Sequence, residues 1–153
     1  DPNTFEMMTS PDVEGVGVIS VWSNILPHVY AREATLLLKG EVEEAKAIDD
    51  SLKGLNAIVG VRVAQQMTIE GASYSITDSF RNPESVQFAA YLLGMTESPL
   101  LRSPMGFLPK EGQAVVGKAL LELYRQKPKY FKPIEECFGV DVEARLNPYK
   151  AVP

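Results

Sequence analysis

The run GVGVISVW at 15–22 constrains the fold of this chain more than any other feature of its sequence. It is apolar and rich in β-branched residues without polar alternation, which is typical of a strand buried on both faces, usually in a parallel sheet. Such a strand needs neighbours on both sides, because an unpaired buried backbone group costs roughly 1–3 kcal/mol. No other segment of the 153 residues has this pattern. The sequence therefore predicts a strand at 15–22 whose sheet is completed by residues outside this chain.

Helical patterns surround the predicted strand. Asn3 is a candidate helix cap, Pro27 suits a first helical turn, and Gly40 suits the position just after a helix. Strand, polar turn and helix make one βα unit, and the tight corner at Gly40 favours an αα-hairpin. Capping signals and apolar stripes predict helices at 4–9, 27–39, 41–60, 83–94, 109–126 and 133–138.

A different pattern covers 61–80. Apolar and polar residues alternate there, and Glu70-Gly71 is a turn signal between the two halves. We expect a β-hairpin with one face in solvent, and a long irregular loop is the alternative.

Charge and cysteine content exclude several classes of site. The chain has 15 Lys and Arg against 20 Asp and Glu, a net charge of −5, which argues against nucleic acid as a partner. With Cys137 and His28 as the single cysteine and histidine, neither an internal disulfide nor a zinc site of Cys and His ligands can form. The longest apolar run is far shorter than a membrane span, and no leader is visible. We expect a cytoplasmic protein with no metal, no cofactor and no membrane partner.

The order of four motifs resembles a known enzyme family. GVGVISVWSN, followed by an αα-hairpin containing LLLKGEVEEAKAI, resembles the eighth strand and final helices of the dihydrodipicolinate synthase / N-acetylneuraminate lyase family. RNPESVQFAAYLLGM resembles a later family helix that starts with Asn-Pro and ends at a Leu-Gly turn, and LRSPMGFLPKEG resembles the loop before the last helix. The resemblance covers about residues 1 to 126.

The resemblance implies an α/β fold of which this chain is one part. Residues 1–39 would be the end of a (β/α)8 TIM barrel, with its last strand and helix. Residues 40–126 would be a helical C-terminal region carrying an inserted hairpin at 61–80. Residues 127–153 extend beyond the usual family end and would form a C-terminal extension.

The function that the resemblance implies belongs to a larger protein. The family consists of class I aldolases that form a Schiff base with pyruvate, and most such proteins are homo-oligomers, often tetramers. The lysine and tyrosine that perform this chemistry would lie in the missing barrel segment, on the same parent chain or on another polypeptide. The leading expectation is condensation of pyruvate with aspartate semialdehyde in lysine biosynthesis. The alternatives are an N-acetylneuraminate or 2-keto-3-deoxy sugar acid lyase and, from another class, a non-catalytic helical interaction module.

Three residues near the end of the predicted strand are candidates for pyruvate binding. By resemblance, Ile19 is the position whose backbone approaches pyruvate, at the strand end where barrel active sites form. Ser20 and Asn24 are candidate polar contacts at the same barrel mouth. Each residue also has an interpretation without function. Ile19 would be a core isoleucine, Ser20 a position of close packing, and Asn24 a turn or helix-cap residue.

No residue of this chain is predicted to be catalytic. A Schiff-base lysine needs a desolvated setting that lowers its pKa. Lys39 follows LLL but sits at a helix end, where it complements the helix dipole. The remaining candidates lie on predicted polar helix faces: Lys46, Lys53, Lys110 and Lys118. His28 has no partner in the sequence that would make it a general base.

The aromatic and basic tail has two interpretations. The aromatic residues Tyr130, Phe131 and Phe138 lie among lysines. Either the aromatic side chains dock a tail helix onto the core, or they contact RNA together with the lysines. The acidic balance of the chain favours docking. Cys137 is expected to be a small buried apolar residue.

Overall fold

Helices make up most of the structure. The computed structural model describes residues 2–151, so the end of the predicted extension, 152–153, lies outside the described residues. The helices are α1 (Thr4–Thr9), α2 (Pro27–Leu38), α3 (Val42–Asn56), α4 (Glu84–Leu92), α5 (Lys110–Gln126), α6 (Lys132–Phe138) and α7 (Val142–Leu146). Strands β1 (Val61–Ile69) and β2 (Ala72–Phe80) form a two-stranded sheet, and 3-10 turns lie at Trp22–Asn24, Pro128–Tyr130 and Asn147–Ala151. The helices confirm the predicted set, and α7 was not predicted.

The predicted strand at 15–22 is wrong for this chain. Residues 15–20 have no regular secondary structure, and a 3-10 turn begins at Trp22. Within the part of the chain that the structure describes, residues 16–19 make no backbone hydrogen bond. The physical reason is that β1 and β2 pair with each other, so no third strand faces this segment. Val16 and Ile19 are consequently left in solvent.

The αα-hairpin of α2 and α3 is confirmed. Gly40 adopts φ +77°, and the Glu41 N–H donates to the Leu36 carbonyl at 2.9 Å. This is a Schellman ending, in which glycine takes the left-handed position that reverses the chain. The Tyr30 hydroxyl then ties α2 to the end of α3 by donating to Asn56 Oδ1 at 2.6 Å. α3 ends at Asn56, before the predicted end at Gly60.

The β-hairpin at 61–80 is also confirmed. Its antiparallel register runs from Val61 opposite Phe80 to Ile69 opposite Ala72. Glu70 and Gly71 have φ values of +51° and +83°, as the central residues of a type I′ turn require. The long-loop alternative is therefore excluded.

One apolar core joins the helices. Its largest fully buried side chains come from the 3-10 turn Trp22–Asn24, from helices α2, α3, α5 and α7, and from the residues just before α2 and α6. They include Trp22, Leu26, Tyr30, Leu52, Leu55, Val116, Leu120, Phe131 and Leu146. The predicted division into 1–39, 40–126 and 127–153 stays a prediction.

The described part of the tail docks onto this core through its aromatics. Phe131 is fully buried, and its ring meets the Tyr124 ring edge-on at 5.5 Å between centroids. Tyr149 covers Gly117 of α5 so closely that a Cβ there would lie 2.2 Å from the ring. Docking is thus confirmed for Phe131 and for the partly buried Tyr130, whereas Phe138 is exposed. Tyr149 was not among the predicted docking rings. The expectation for Cys137 was wrong, because its side chain is exposed.

Candidate functional site

The predicted pyruvate-binding residues lie where the irregular segment 15–20 meets the 3-10 turn Trp22–Asn24. Ile19 is fully exposed and Ser20 is buried. The backbone of 16–19 is free to pair with another strand, since no hydrogen bond from the described residues occupies it. In this chain Ile19 therefore presents both its side chain and its backbone to solvent.

Ser20 and Asn24 hold the corner between this segment and α2. The Ser20 hydroxyl oxygen accepts the Ser23 N–H at 3.1 Å, and the Ser23 hydroxyl donates to the Ser20 carbonyl at 2.6 Å. The Asn24 amide donates to the Val21 carbonyl at 2.8 Å. Short polar side chains stabilise turns in this way by replacing backbone partners. The turn alternative is thus realised for Asn24, and Ser20, for which close packing was the alternative, is a buried member of the same turn.

Asn24 also borders a cleft of about 370 Å³. The cleft lies between the 3-10 turn, the start of α4 and the end of α6. Its other lining residues are Ile25, Asn82, Pro83, Val86, Gln87, Ala90, Met95, Thr96 and Phe138. The lining offers amide and hydroxyl groups but no cationic side chain, so within the described residues nothing there pairs with a carboxylate. Of the three predicted residues, Asn24 is the one that the structure brings to this cleft.

The sequence did not lead us to predict that a carboxyl group of α2 is buried. Glu33 is 1% exposed, and its Oε1 has no hydrogen-bond partner among the described residues. Burial, and secondly the nearby charge of Asp49, raises the pKa of Glu33 to about 7. Burial and the charges of Glu33 and Asp49 also raise the pKa of Tyr30. The signal was present, because Glu33 falls on the apolar stripe of α2 between Tyr30 and Leu36.

Glu33 cannot act on a ligand from this position. A carboxyl group with a pKa near neutrality suits general acid–base chemistry, but such a group must reach the proton that it transfers. Glu33 is covered by the core, so its ionisation acts on folding stability instead.

The lysines do not have the setting of a Schiff-base nucleophile. None of those within residues 2–151 is buried. Lys46 binds Asp50 at 2.6 Å and Asp49 at 3.0 Å, and these hydrogen bonds raise its pKa. A nucleophilic lysine needs the opposite shift.

His28 is exposed at the start of α2 and borders a second cleft. Partial burial lowers its pKa, against a smaller opposing effect of the Tyr130 backbone. The cleft has a volume of about 460 Å³ and includes Arg32, Glu44 and Lys129 in its lining. Its charges are therefore of both signs and favour no single ligand class.

Two further searches of the structure gave no site. Residues 2–151 contain no group of three or more His, Cys, Asp or Glu side chains arranged to hold a metal ion. Within the same residues, no helix combines the length and the apolar character needed to cross a membrane.

Curated proteins similar to this chain share one name. The chain is 30% identical over 120 residues to a 4-hydroxy-tetrahydrodipicolinate synthase of Sulfurihydrogenibium sp., a match that covers 78% of this chain and 34% of the relative. It is 32% identical over 108 residues to the enzyme of the same name from Psychromonas ingrahamii, covering 71% of this chain and 31% of the relative. A third, from a Shewanella species, is 31% identical over 97 residues, which are 63% of this chain and 27% of the relative.

These matches fix the identity of the chain at the level of the family. No protein-family model matches the chain, and no solved structure matches it. The chain spans about a third of the length of the curated relatives that it matches. It belongs to the dihydrodipicolinate synthase family, of which it represents the C-terminal part.

Proposed function

We propose that this chain is the C-terminal part of a pyruvate-dependent class I aldolase of the dihydrodipicolinate synthase type. The observation that carries the proposal is the name that the reported relatives share. The free backbone of residues 16–19 supports it, because an apolar β-branched segment without partners fits the last strand of a barrel completed elsewhere.

The proposed reaction takes place mainly on residues outside this chain. A lysine of the missing barrel segment condenses with the ketone of pyruvate and releases water, giving an imine. Loss of a methyl proton converts the imine to an enamine, whose carbon attacks the aldehyde of aspartate semialdehyde. The names of the relatives favour this second substrate over that of an N-acetylneuraminate or sugar acid lyase.

In the proposed enzyme, this chain positions groups around pyruvate and supplies no catalytic residue. In the complete barrel, the segment 15–20 pairs with its neighbours and Ile19 presents its backbone to pyruvate at the strand end. Ser20 and Asn24 fix the corner into α2, which sets where that strand stops. By resemblance, the helical region also contributes contacts in a homo-oligomer.

Borohydride trapping tests the proposed chemistry. A parent protein containing the upstream barrel is incubated with pyruvate and sodium borohydride, and the reduced adduct is located by mass spectrometry. We expect the adduct on a lysine upstream of residue 1, with the isolated 153-residue chain unlabelled under the same conditions. An adduct on any lysine of this chain, or a parent protein that forms none, would contradict the proposal.

A non-catalytic helical module remains the second candidate. It is favoured by the closed core of α2, α3 and α5, in which Trp22, Leu52 and Leu120 are fully buried without any barrel. Native mass spectrometry of the protein from its source distinguishes the two. A longer parent chain or a bound second polypeptide supports the aldolase, and a folded species of 16.8 kDa alone supports the module.

A further inference from the structure

A reciprocal pair of hydrogen bonds closes the corner that follows residues 15–20. The Ser23 hydroxyl donates to the Ser20 carbonyl at 2.6 Å, near the short end of the range for such bonds. The Ser23 N–H donates in turn to the Ser20 hydroxyl oxygen at 3.1 Å. In a regular 3-10 turn that N–H would donate to the Ser20 carbonyl. The Ser20 side chain accepts it instead, so the Ser20 carbonyl is left to the Ser23 hydroxyl.

This corner is fixed to the core on the side of α2. Trp22, Ile25 and Leu26 are buried, and the N–H groups of Ile25 and Leu26 both donate to the Trp22 carbonyl at 2.9 Å. Ser23 itself is half-buried. The Ser23 hydroxyl therefore projects from a packed turn, and the group that it holds is the last carbonyl of residues 15–20.

On the other side of the corner, the backbone is held much less. The Gly15 N–H donates to the Met7 carbonyl at 3.3 Å, but from 16 to 19 the described residues supply no backbone hydrogen bond. We call residues 15–20 the free segment for this reason. Among the described hydrogen bonds, those between Ser20 and Ser23 are consequently the nearest to Ile19 along the chain.

The direction of the Ile19 backbone depends on how the Ser20 carbonyl is held. The Ile19 carbonyl and the Ser20 N–H belong to one planar peptide unit, and the Ser20 carbonyl belongs to the next. Only the two backbone dihedral angles of Ser20 lie between these units. A hydrogen bond that fixes the Ser20 carbonyl therefore restricts where the Ile19 peptide unit points.

The corner forms without barrel strands beside it. Residues 15–20 have no regular secondary structure in this chain, yet both bonds between Ser20 and Ser23 are made. Local residues, and not a sheet, thus determine the corner. A group that must meet a substrate is best held by contacts that exist before the substrate binds, since a misplacement of about 1 Å can cost about 10²-fold in rate.

We infer that Ser23 is a positioning residue for pyruvate, whose hydroxyl holds the Ser20 carbonyl and thereby sets where the Ile19 backbone meets the substrate. The inference rests on the proposed function and adds to it a residue that is not among the three predicted binding residues. Ser23 acts through Ser20 and Ile19 and does not touch pyruvate itself. Because Ile19 is assigned to pyruvate alone, loss of the Ser23 hydroxyl should weaken pyruvate binding more than aldehyde binding.

Three variants of a parent protein that contains the upstream barrel test this inference. Ser23→Ala removes the hydroxyl, and Ser23→Thr keeps it. Ser51→Ala is the matched control, because the half-buried Ser51 also donates to the carbonyl three residues earlier, that of Ile48, at 2.7 Å, but lies in α3. Steady-state kinetics give kcat and the KM for each substrate. Borohydride trapping at varied pyruvate concentration follows the imine alone, and thermal unfolding compares the stability of the variants.

We expect Ser23→Ala to raise both the KM for pyruvate and the pyruvate concentration at half-maximal trapping by about ten-fold or more, with a smaller change in the KM for the aldehyde. Ser23→Thr and Ser51→Ala should stay close to the unaltered protein. If Ser23→Ala does not fold, Ser23→Cys takes its place, because a thiol has a similar shape but is a weak donor. The same increase in KM for pyruvate is then expected.

Several outcomes would overturn the inference while leaving the proposed function intact. These are an unchanged KM for pyruvate in the variant without the hydroxyl, an equal rise in KM for both substrates, and a Ser23→Thr variant that is impaired as strongly as Ser23→Ala. An unaltered parent protein that forms no pyruvate adduct is a different result, because it contradicts the proposed function and the inference together.

Discussion

Glu33 shows how a single residue can set the pH dependence of this fold. Its pKa is about 7 in the folded chain against an ordinary value of 4.5, so the folded state holds the proton more tightly than the unfolded state does. Below the unfolded value the carboxyl is neutral in both states, and its contribution to stability is intact. As the pH rises through about 7 the buried group ionises close to Asp49, with partial compensation by Lys46, and stability is lost.

The variant Glu33→Gln removes this ionisation while keeping the size of the side chain. We expect its free energy of unfolding to exceed that of the unaltered chain by about 2 kcal/mol at pH 8, and to be nearly equal at pH 4.5. Urea unfolding at the two pH values measures the difference. The exposed Glu97→Gln, outside the helices, is the control and should change neither value appreciably. Equal stability of Glu33→Gln and the unaltered chain at pH 8 would contradict the assignment.

At the scale of single residues, the surroundings of a side chain were harder to predict than its place along the fold. The polar turn at Asn24 was placed correctly, because polar residues after an apolar run are a local signal. Ser20 was predicted inside the strand and instead holds this turn. The burial of Glu33 depends on α3 packing over α2, and the sequence of α2 alone gives a carboxylate on an apolar stripe without saying what covers it. Whether Ile19 contacts pyruvate stays a prediction.

At the scale of elements, turn signals predicted well, including the pairing of β1 with β2, and an apolar pattern alone did not. Gly40, Gly94 and the Glu70-Gly71 turn ended their elements where expected, since each depends on a positive φ that glycine accepts readily. The strand at 15–22 failed for the opposite reason. Its apolar pattern indicates that the segment is suited to burial, but a strand forms only where a second strand supplies hydrogen bonds.

Docking of the C-terminal 3-10 turn onto α5 can be tested at Gly117. A Cβ at this position would lie 2.2 Å from the Tyr149 ring, so Gly117→Ala should displace the ring and destabilise the chain by about 1–3 kcal/mol. Thermal unfolding measures the change.

Gly54→Ala is the matched control for this substitution. It is also a helical glycine, but no atom lies within 4 Å of the added Cβ. We expect it to stabilise the chain by up to about 1 kcal/mol through helix propensity. In a chain that already carries Tyr149→Ala, adding Gly117→Ala should cost little stability, because the ring that the new Cβ meets is gone. If Gly117→Ala costs as much there as in the unaltered chain, the contact with Tyr149 is not the cause of the penalty.

At the scale of the whole molecule, the helices close around a core while one apolar segment stays outside it. That the sheet of GVGVISVW is completed outside this chain stays a prediction. The extent to which α2, α3 and α5 bury one another was not predictable, because such packing joins residues far apart in sequence.

Limited proteolysis measures how far the free segment depends on the rest of the protein. With a protease specific for small aliphatic residues, the first cuts in the isolated chain should fall within 16–19, where the described residues make no backbone hydrogen bond. The hairpin turn at 70–71 is equally exposed but held by a ladder, and should be cut later. In a parent protein containing the proposed barrel, the cuts within 16–19 should disappear. Equal cutting in the two proteins would show that the segment does not join a sheet.

The position of Trp22 gives the molecule its own optical reporter. It is the single tryptophan of the chain, it is fully buried, and its indole N–H has no hydrogen-bond partner among the described residues. An indole in such dry surroundings emits at short wavelength, and this one lies two residues after Ser20, the end of the segment 15–20. Intrinsic fluorescence therefore reports on the corner between this segment and the helices without an added label, both when the chain unfolds and, in the parent protein proposed above, when residues 15–20 pair with other strands.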